Sequence, residues 1–211
     1  MHIPPHFNRD DPAALRAAMR RFQTATLVSQ GPNGMIATHV PVEILDDPAP
    51  LGRLRCHFAR ANTHAKLIAE ASEVLAIFQG PEGYISPNWY PSKPASGKVV
   101  PTWNYATVHA YGTATTFHDA APLKQLVAKL TDRFEAQQAD PWSVDDAPAD
   151  FIDHMLKAIV GIDMTFSRLE GKWKMSQNRP AGDQAGVIDG LRAQGGGADL
   201  ALAAEMKNDA S

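Results

Sequence analysis

A chain of 211 residues with 44% hydrophobic side chains is long enough to close a core of its own. Its net charge of −3 offers no basic footprint for nucleic acid and no polybasic patch for an anionic membrane surface. The single cysteine, Cys56, excludes an internal disulfide and every CxxC metal or redox motif. Set in alternation between Leu54 and Phe58, it reads as a buried structural thiol. No apolar run approaches the roughly 18 residues of a membrane span. MHIPPHFNRDD at the start lacks a signal-peptide core, so the expected location is the cytoplasm.

In chain order, Asp10 and Asp11 before Pro12 predict the first turn of a helix carrying Leu15, Met19 and Phe22. From Ala25 the apolar period falls to two, and TATLVSQ, the turn GPNG (Gly31 to Gly34) and MIATHVPVEIL predict a β-hairpin. Leu54 to Ala59 alternates as a third strand, and Asn62 precedes a short helix with Ala65, Leu67, Ile68 and Ala71. Val74 to Gln79 is a continuous apolar run, predicted as a buried central strand, and GPEG at Gly80 to Gly83 predicts a turn. Tyr84 to Gly112 concentrates aromatics, two lysines and four prolines, the chemistry of a pocket for a flat, partly anionic ligand. Thr102 to Phe117 predicts a long strand kinked near Gly112. Asp119 caps a helix with Leu123, Leu126, Val127, Leu130 and Phe134, and a second helix carries Phe151, Ile152, Met155 and Leu156. Ile159 to Leu169 returns to strand alternation, with Glu170-Gly171 expected in a turn. Lys172, Lys174 and Arg179 then gather beside Trp173, Gln177 and Asn178. Six or seven strands result.

Two consecutive helices invite a helix-turn-helix reading, but charge opposes it. Asp119 to Lys157 holds four basic and eight acidic residues, a local net charge of −4, the wrong sign for phosphates. The chain has no GxGxxG after a strand, no P-loop and no GxSxG elbow. Its eight histidines show no metal-binding spacing, and no nucleophile or acid–base dyad stands out, so no metal ligand or catalytic residue is assigned.

HFARANTHAKL, YISPNWYPSK, VPTWNYATVHAYG and KMSQNR, in that order, closely resemble the PaiB-like family of FMN-binding negative transcriptional regulators. The resemblance runs from about His2 to Leu191. It implies a mainly β fold with peripheral helices: a Greek-key split β-barrel of the flavin-reductase and pyridoxamine-phosphate-oxidase type. Residues 1–192 would form one FMN-binding domain with helical additions at about 119–158, followed by a C-terminal tail, 193–211, either poorly ordered or a short helix. It also implies a homodimer with FMN at the subunit interface.

Carried over by position, Ala37, Thr38 and His39 should lie along the flavin. Arg60, Asn62 and His64 should hold its phosphate, with Lys66 as a helper. The Thr63-His64 pair departs from the Pro-His of the family pattern. Trp103, Asn104 and Tyr105 should line the ring side, with Ser86, Trp89 and Lys93 at the mouth. Lys174, Gln177 and Arg179 should reach a flavin from the partner subunit. Two alternatives stay open beside the regulator: a flavin-dependent oxidoreductase using NAD(P)H, and a split barrel that has exchanged flavin for haem. The acidic helices speak against direct DNA contact, leaving regulation to a partner or a ligand-driven change.

Overall fold

The computed structural model describes residues 1–209. The elements are β1 (Asn8–Arg9), α1 (Pro12–Phe22), β2 (Thr24–Gly31), β3 (Gly34–Pro41), β4 (Glu43–Leu45), β5 (Arg53–Ala59), α2 (His64–Glu70) and β6 (Val74–Ile85). They continue as α3 (Lys93–Ser96), β7 (Thr102–Phe117), α4 (Ala120–Glu135), α5 (Ala149–Lys157), β8 (Ile159–Lys174), α6 (Ala181–Gln194) and α7 (Gly197–Asp209). The chain divides into two compact units. One comprises Asp11–Phe78 and His109–Leu169; the other comprises Met1–Asp10, Gln79–Val108 and the chain from Glu170 onward.

The first unit is the barrel. Its strands run in the order β3-β2-β6-β7-β8-β5-β4, and β3 packs against β5, bringing the two flanks of the sheet together. The fold is therefore the mainly β split barrel with peripheral helices expected from the sequence. The predicted hairpin is present in register, Thr26 opposite His39 and Gly31 opposite Gly34, with Gly34 at φ +111° where a side chain would be strained. Alternation puts Leu27, Leu54, Cys56, Phe58, Ile162 and Met164 inside. Cys56 is fully buried, and burial pushes its thiol far above the ordinary value, which leaves it chemically inert. Helix α1 starts where Asp11 accepts from the Ala14 amide at 2.8 Å with Pro12 as its first residue, and it buries Leu15, Ala18 and Met19. Arg16 and Arg20 both reach Asp46, at 2.6 and 2.8 Å, and their guanidinium groups, Arg20 first, lower its carboxyl pKa.

Two sequence-based turns are strand instead. GPEG lies inside β6, because that strand's pairing with β2 ends at Ile77 and Pro81 removes no donor from it. Glu170-Gly171 lies inside β8, where Gly171 and Lys172 pair with Arg9 and Asn8 of β1. Among the described residues the strands number eight, because β1 and β4 are too short to be read from periodicity. Gly112 sits within β7, and a Cβ there would overlap the Thr165 carbonyl oxygen, so close approach of β8 is what requires glycine.

The second unit holds α3, α6 and α7 beside the remaining ends of the long strands. Val187 and Leu191 of α6 and Leu202, Ala203 and Met206 of α7 are buried. Helix α6, absent from the sequence reading, carries Gly186 and Gly190, where a Cβ would overlap the Trp89 carbonyl and the Trp89 ring. The C-terminal segment expected as a frayed tail or short helix is α7 as far as Asp209, and its last two residues lie outside those described.

Candidate functional site

In the barrel unit the chain leaves β5 at Ala59 and turns into α2. The Arg60 amide donates to the Ala158 carbonyl at 2.8 Å, and the Asn62 amide to Ala59 at 2.8 Å. Asn62 Oδ1 accepts from the His64 amide at 2.9 Å, so it caps the helix from one residue before Thr63. The Asn62 amide nitrogen donates to Thr38 Oγ1 at 3.4 Å. His64 is fully buried, with Nδ1 2.7 Å from Thr38 Oγ1, Nε2 3.0 Å from Ser29 Oγ and its ring 5.5 Å from that of Phe58. The Thr38 and Ser29 hydroxyls between them engage both ring nitrogens, so one nitrogen of the imidazole donates and the other accepts within the network. Burial lowers the His64 pKa and keeps the ring neutral.

Expected as ligands, Thr38 and His64 have their side chains tied into this internal network, where they fix the start of α2. Ala37 and His39 fall on the opposite face of β3, opposite Val28 and Thr26, and His39 Nδ1 lies 2.7 Å from Thr26 Oγ1. The seven expected residues of this unit are therefore split by strand alternation.

Arg60 and Lys66 do converge on one cleft of about 510 Å³, whose lining also includes Asn62, Thr63, Thr116 and His118, with Glu70 its single carboxylate. The Arg60 guanidinium is set in place at the end of α5. Its Nε donates to the Lys157 carbonyl and Nη2 to the Ile159 carbonyl, each at 2.8 Å, while Nη1 lies 3.3 Å from His118 Nδ1. A guanidinium anchored along one edge keeps its other N–H groups aimed, which suits it to a phosphate. The cleft supplies cationic and amide donors and room for a phosphate monoester. Sequence reasoning missed His118, which sits between the end of β7 and the Asp119 cap with no motif to mark it.

The other expected residues belong to the second unit. Trp103 is 54% exposed and meets Tyr84 edge-on at 6.3 Å. Tyr105 lies under Lys172 Nζ, 5.2 Å from the ring centroid. Asn104 is fully buried and donates to Ser176 Oγ at 2.9 Å. Trp89 rests on the glycines of α6, and Ser86 Oγ accepts from the Asn88 amide at 3.2 Å. Lys93 donates to Asn88 Oδ1 at 2.5 Å. Asp183, 2% exposed, accepts from both the amide and hydroxyl of Ser92, at 3.0 and 2.7 Å, pinning this loop to α6. Gln177 bridges the Met175 amide and the Trp173 carbonyl, each at 2.7 Å. Asn104, Ser86 and Gln177 thus serve the unit's own architecture, while Lys174 and Arg179 line a separate small cavity. Among the described residues no group of three or more His, Cys, Asp or Glu could hold a metal ion, and no helix is long and apolar enough to cross a membrane.

A split barrel with a cationic cleft beside its fifth strand defines a class of small-molecule-binding protein, and comparison with known proteins narrows it. The chain belongs to the family described as "Putative FMN-binding domain", whose model matches residues 1–168, and FMN is the cofactor of that family. It is similar to the protease synthase and sporulation protein PAI 2 of Bacillus subtilis, 30% identical over 91% of this chain and 89% of that protein. An uncharacterized protein of Aspergillus fumigatus is 34% identical over 98% of this chain and 93% of its own length. Among solved structures, the flavocytochrome Anf3 of Azotobacter vinelandii shares the fold with a TM-score of 0.60 at 13% identity, covering 87% of this chain and 78% of that one. The FAD and heme binding protein of Mycobacterium smegmatis does so with a TM-score of 0.57, also at 13% identity, covering 90% and 80%.

Proposed function

We propose that the chain binds FMN with its phosphate in the cleft of Arg60, Asn62, Thr63 and Lys66, and that two copies assemble around the flavin. The observation that carries this reading is the Arg60 guanidinium, held by two backbone carbonyls beside Lys66 in a cleft of phosphate-accepting size. Thr38 and His64 act as positioning residues by fixing Asn62 and the start of α2. β3 ends the ladder, so alternate backbone groups around Ala37 and His39 point away from β2 and can meet a ligand. The exposed Trp103 ring, with Lys93 nearby in sequence, is the face offered to a flavin by the second copy. FMN, when bound, supplies one- and two-electron chemistry, while the protein binds it, orients it and limits water access.

The role we favour is PaiB-like regulation acting through a partner or a ligand-driven change, because α4 and α5 carry the wrong charge for DNA. Purified chain soaked with FMN and desalted should keep a flavin absorption band and sediment as a dimer; a colourless monomer contradicts the proposal. Rapid mixing of the loaded protein with NADPH tests the second reading. The NAD(P)H oxidoreductase requires prompt flavin bleaching, and the regulator does not.

A further inference from the structure

The second unit has a small open cavity of about 120 Å³ whose lining includes Tyr90, Asn104, Lys174, Ser176, Asn178 and Arg179, with two cations and no carboxylate. Neither cation has an ion-pair partner among the described residues. Lys174 is half-buried and donates to the Trp103 carbonyl at 2.6 Å and to Thr102 Oγ1, which leaves one of its three N–H groups uncommitted. Burial first, and the neighbouring Lys172 second, lower its pKa. Arg179 is also half-buried and lies over the buried Tyr90 ring, its Cζ 4.8 Å from the ring centroid. Ser176, at the same cavity, is buried and adopts φ +67°, a left-handed backbone that non-glycine residues rarely hold. Two cations line one small cavity that holds no carboxylate, so their charge has no counter-ion there, and an anion between them would supply it.

We infer that this cavity is a binding site for a small oxyanion, of the size and charge of a carboxylate or inorganic phosphate, separate from the flavin cleft. The inference does not rest on the flavin proposal. Lys174 and Arg179 supply the charge and Asn178 an amide group at its wall, while the Tyr90 face backs the arginine and Asn104, tied to Ser176, shapes the wall behind them.

The test uses the full chain, isotope-labelled, with inorganic phosphate and acetate as separate probes and the side-chain amide resonances of Asn104 as the reporter. Saturable shifts are expected with at least one probe, and the preferred probe identifies the anion. Losing a charged hydrogen bond should raise the apparent Kd at least about tenfold in Lys174→Met and in Arg179→Met. Asn178→Asp, a surface change with little effect on folding, places a carboxylate at the cavity and should abolish binding. The shifts should persist in Arg60→Ala and with FMN at saturation. Shifts that do not saturate, or that are equal in all three cavity variants, mean an adventitious ion only and overturn the inference. So does loss of the shifts on adding FMN, which would give the cavity to the flavin.

Discussion

Arg60→Ala separates what the guanidinium does for the fold from what it does for the ligand. In the folded chain the side chain donates to the Lys157 and Ile159 carbonyls at 2.8 Å each. Both bonds lie at an exposed helix end, where water can replace the donors, so their loss should cost about 1 kcal/mol of stability. A charged hydrogen bond to a phosphate is stronger, about 1.5–3 kcal/mol, which converts to a tenfold to hundredfold rise in the FMN dissociation constant. Arg60→Lys keeps the charge but cannot hold two carbonyls and present a planar fork, so it should fall between wild type and alanine. Flavin fluorescence quenching gives the affinity and urea unfolding the stability. An Arg60→Ala protein that folds normally and binds FMN as tightly as wild type would refute the phosphate assignment.

Acid should destabilise the fold through two histidines. Burial lowers the pKa of both His57 and His64, so below about pH 6.5 the unfolded chain takes up protons that the folded chain refuses. Their stabilisation is full above that pH and declines as pH falls through the folded values, and His64→Gln should flatten the slope in urea unfolding measured between pH 7 and pH 5. Gly190→Ala should destabilise by about 2 kcal/mol because its Cβ overlaps the Trp89 ring, overwhelming the helix-propensity gain. Gly182→Ala, with nothing within 4 Å, should instead stabilise by about 0.5 kcal/mol, and thermal melts distinguish the two. Asp183→Ala removes the buried acceptor of the half-buried Ser92 amide and hydroxyl and should cost about 1–2 kcal/mol, with hydrogen exchange in residues 86–101 accelerating first.

What the sequence revealed followed periodicity and caps. The β2–β3 hairpin, β5 and α1 are visible because alternation and the Asp11-Pro12 start have local causes. Helix α6 was hidden because its glycines look like breakers, and their purpose, a seat for Trp89 from about a hundred positions earlier, is tertiary. The strand character of GPEG is tertiary in the same way, since it depends on where pairing with β2 ends. Of the candidate cleft, Arg60, Asn62 and Lys66 were reached from the sequence through the family resemblance of HFARANTHAKL, which keeps them together on one short segment. That Thr38 and His64 would bind each other, and that His118 would join the cleft, depended on strands meeting across the barrel. The internal bond of Asn104 to Ser176 was likewise out of reach of the sequence, because it joins residues brought together only by the fold, while that of Gln177 lies within the turn after β8.

The central claim is that the phosphate, held at Arg60, Asn62 and Lys66, secures the flavin. Parallel titrations of the wild-type chain with FMN and with riboflavin, which differ only in that phosphate, test it most directly. FMN should bind at least about tenfold more tightly, the equivalent of one charged hydrogen bond. Equal affinities for the two flavins would contradict it.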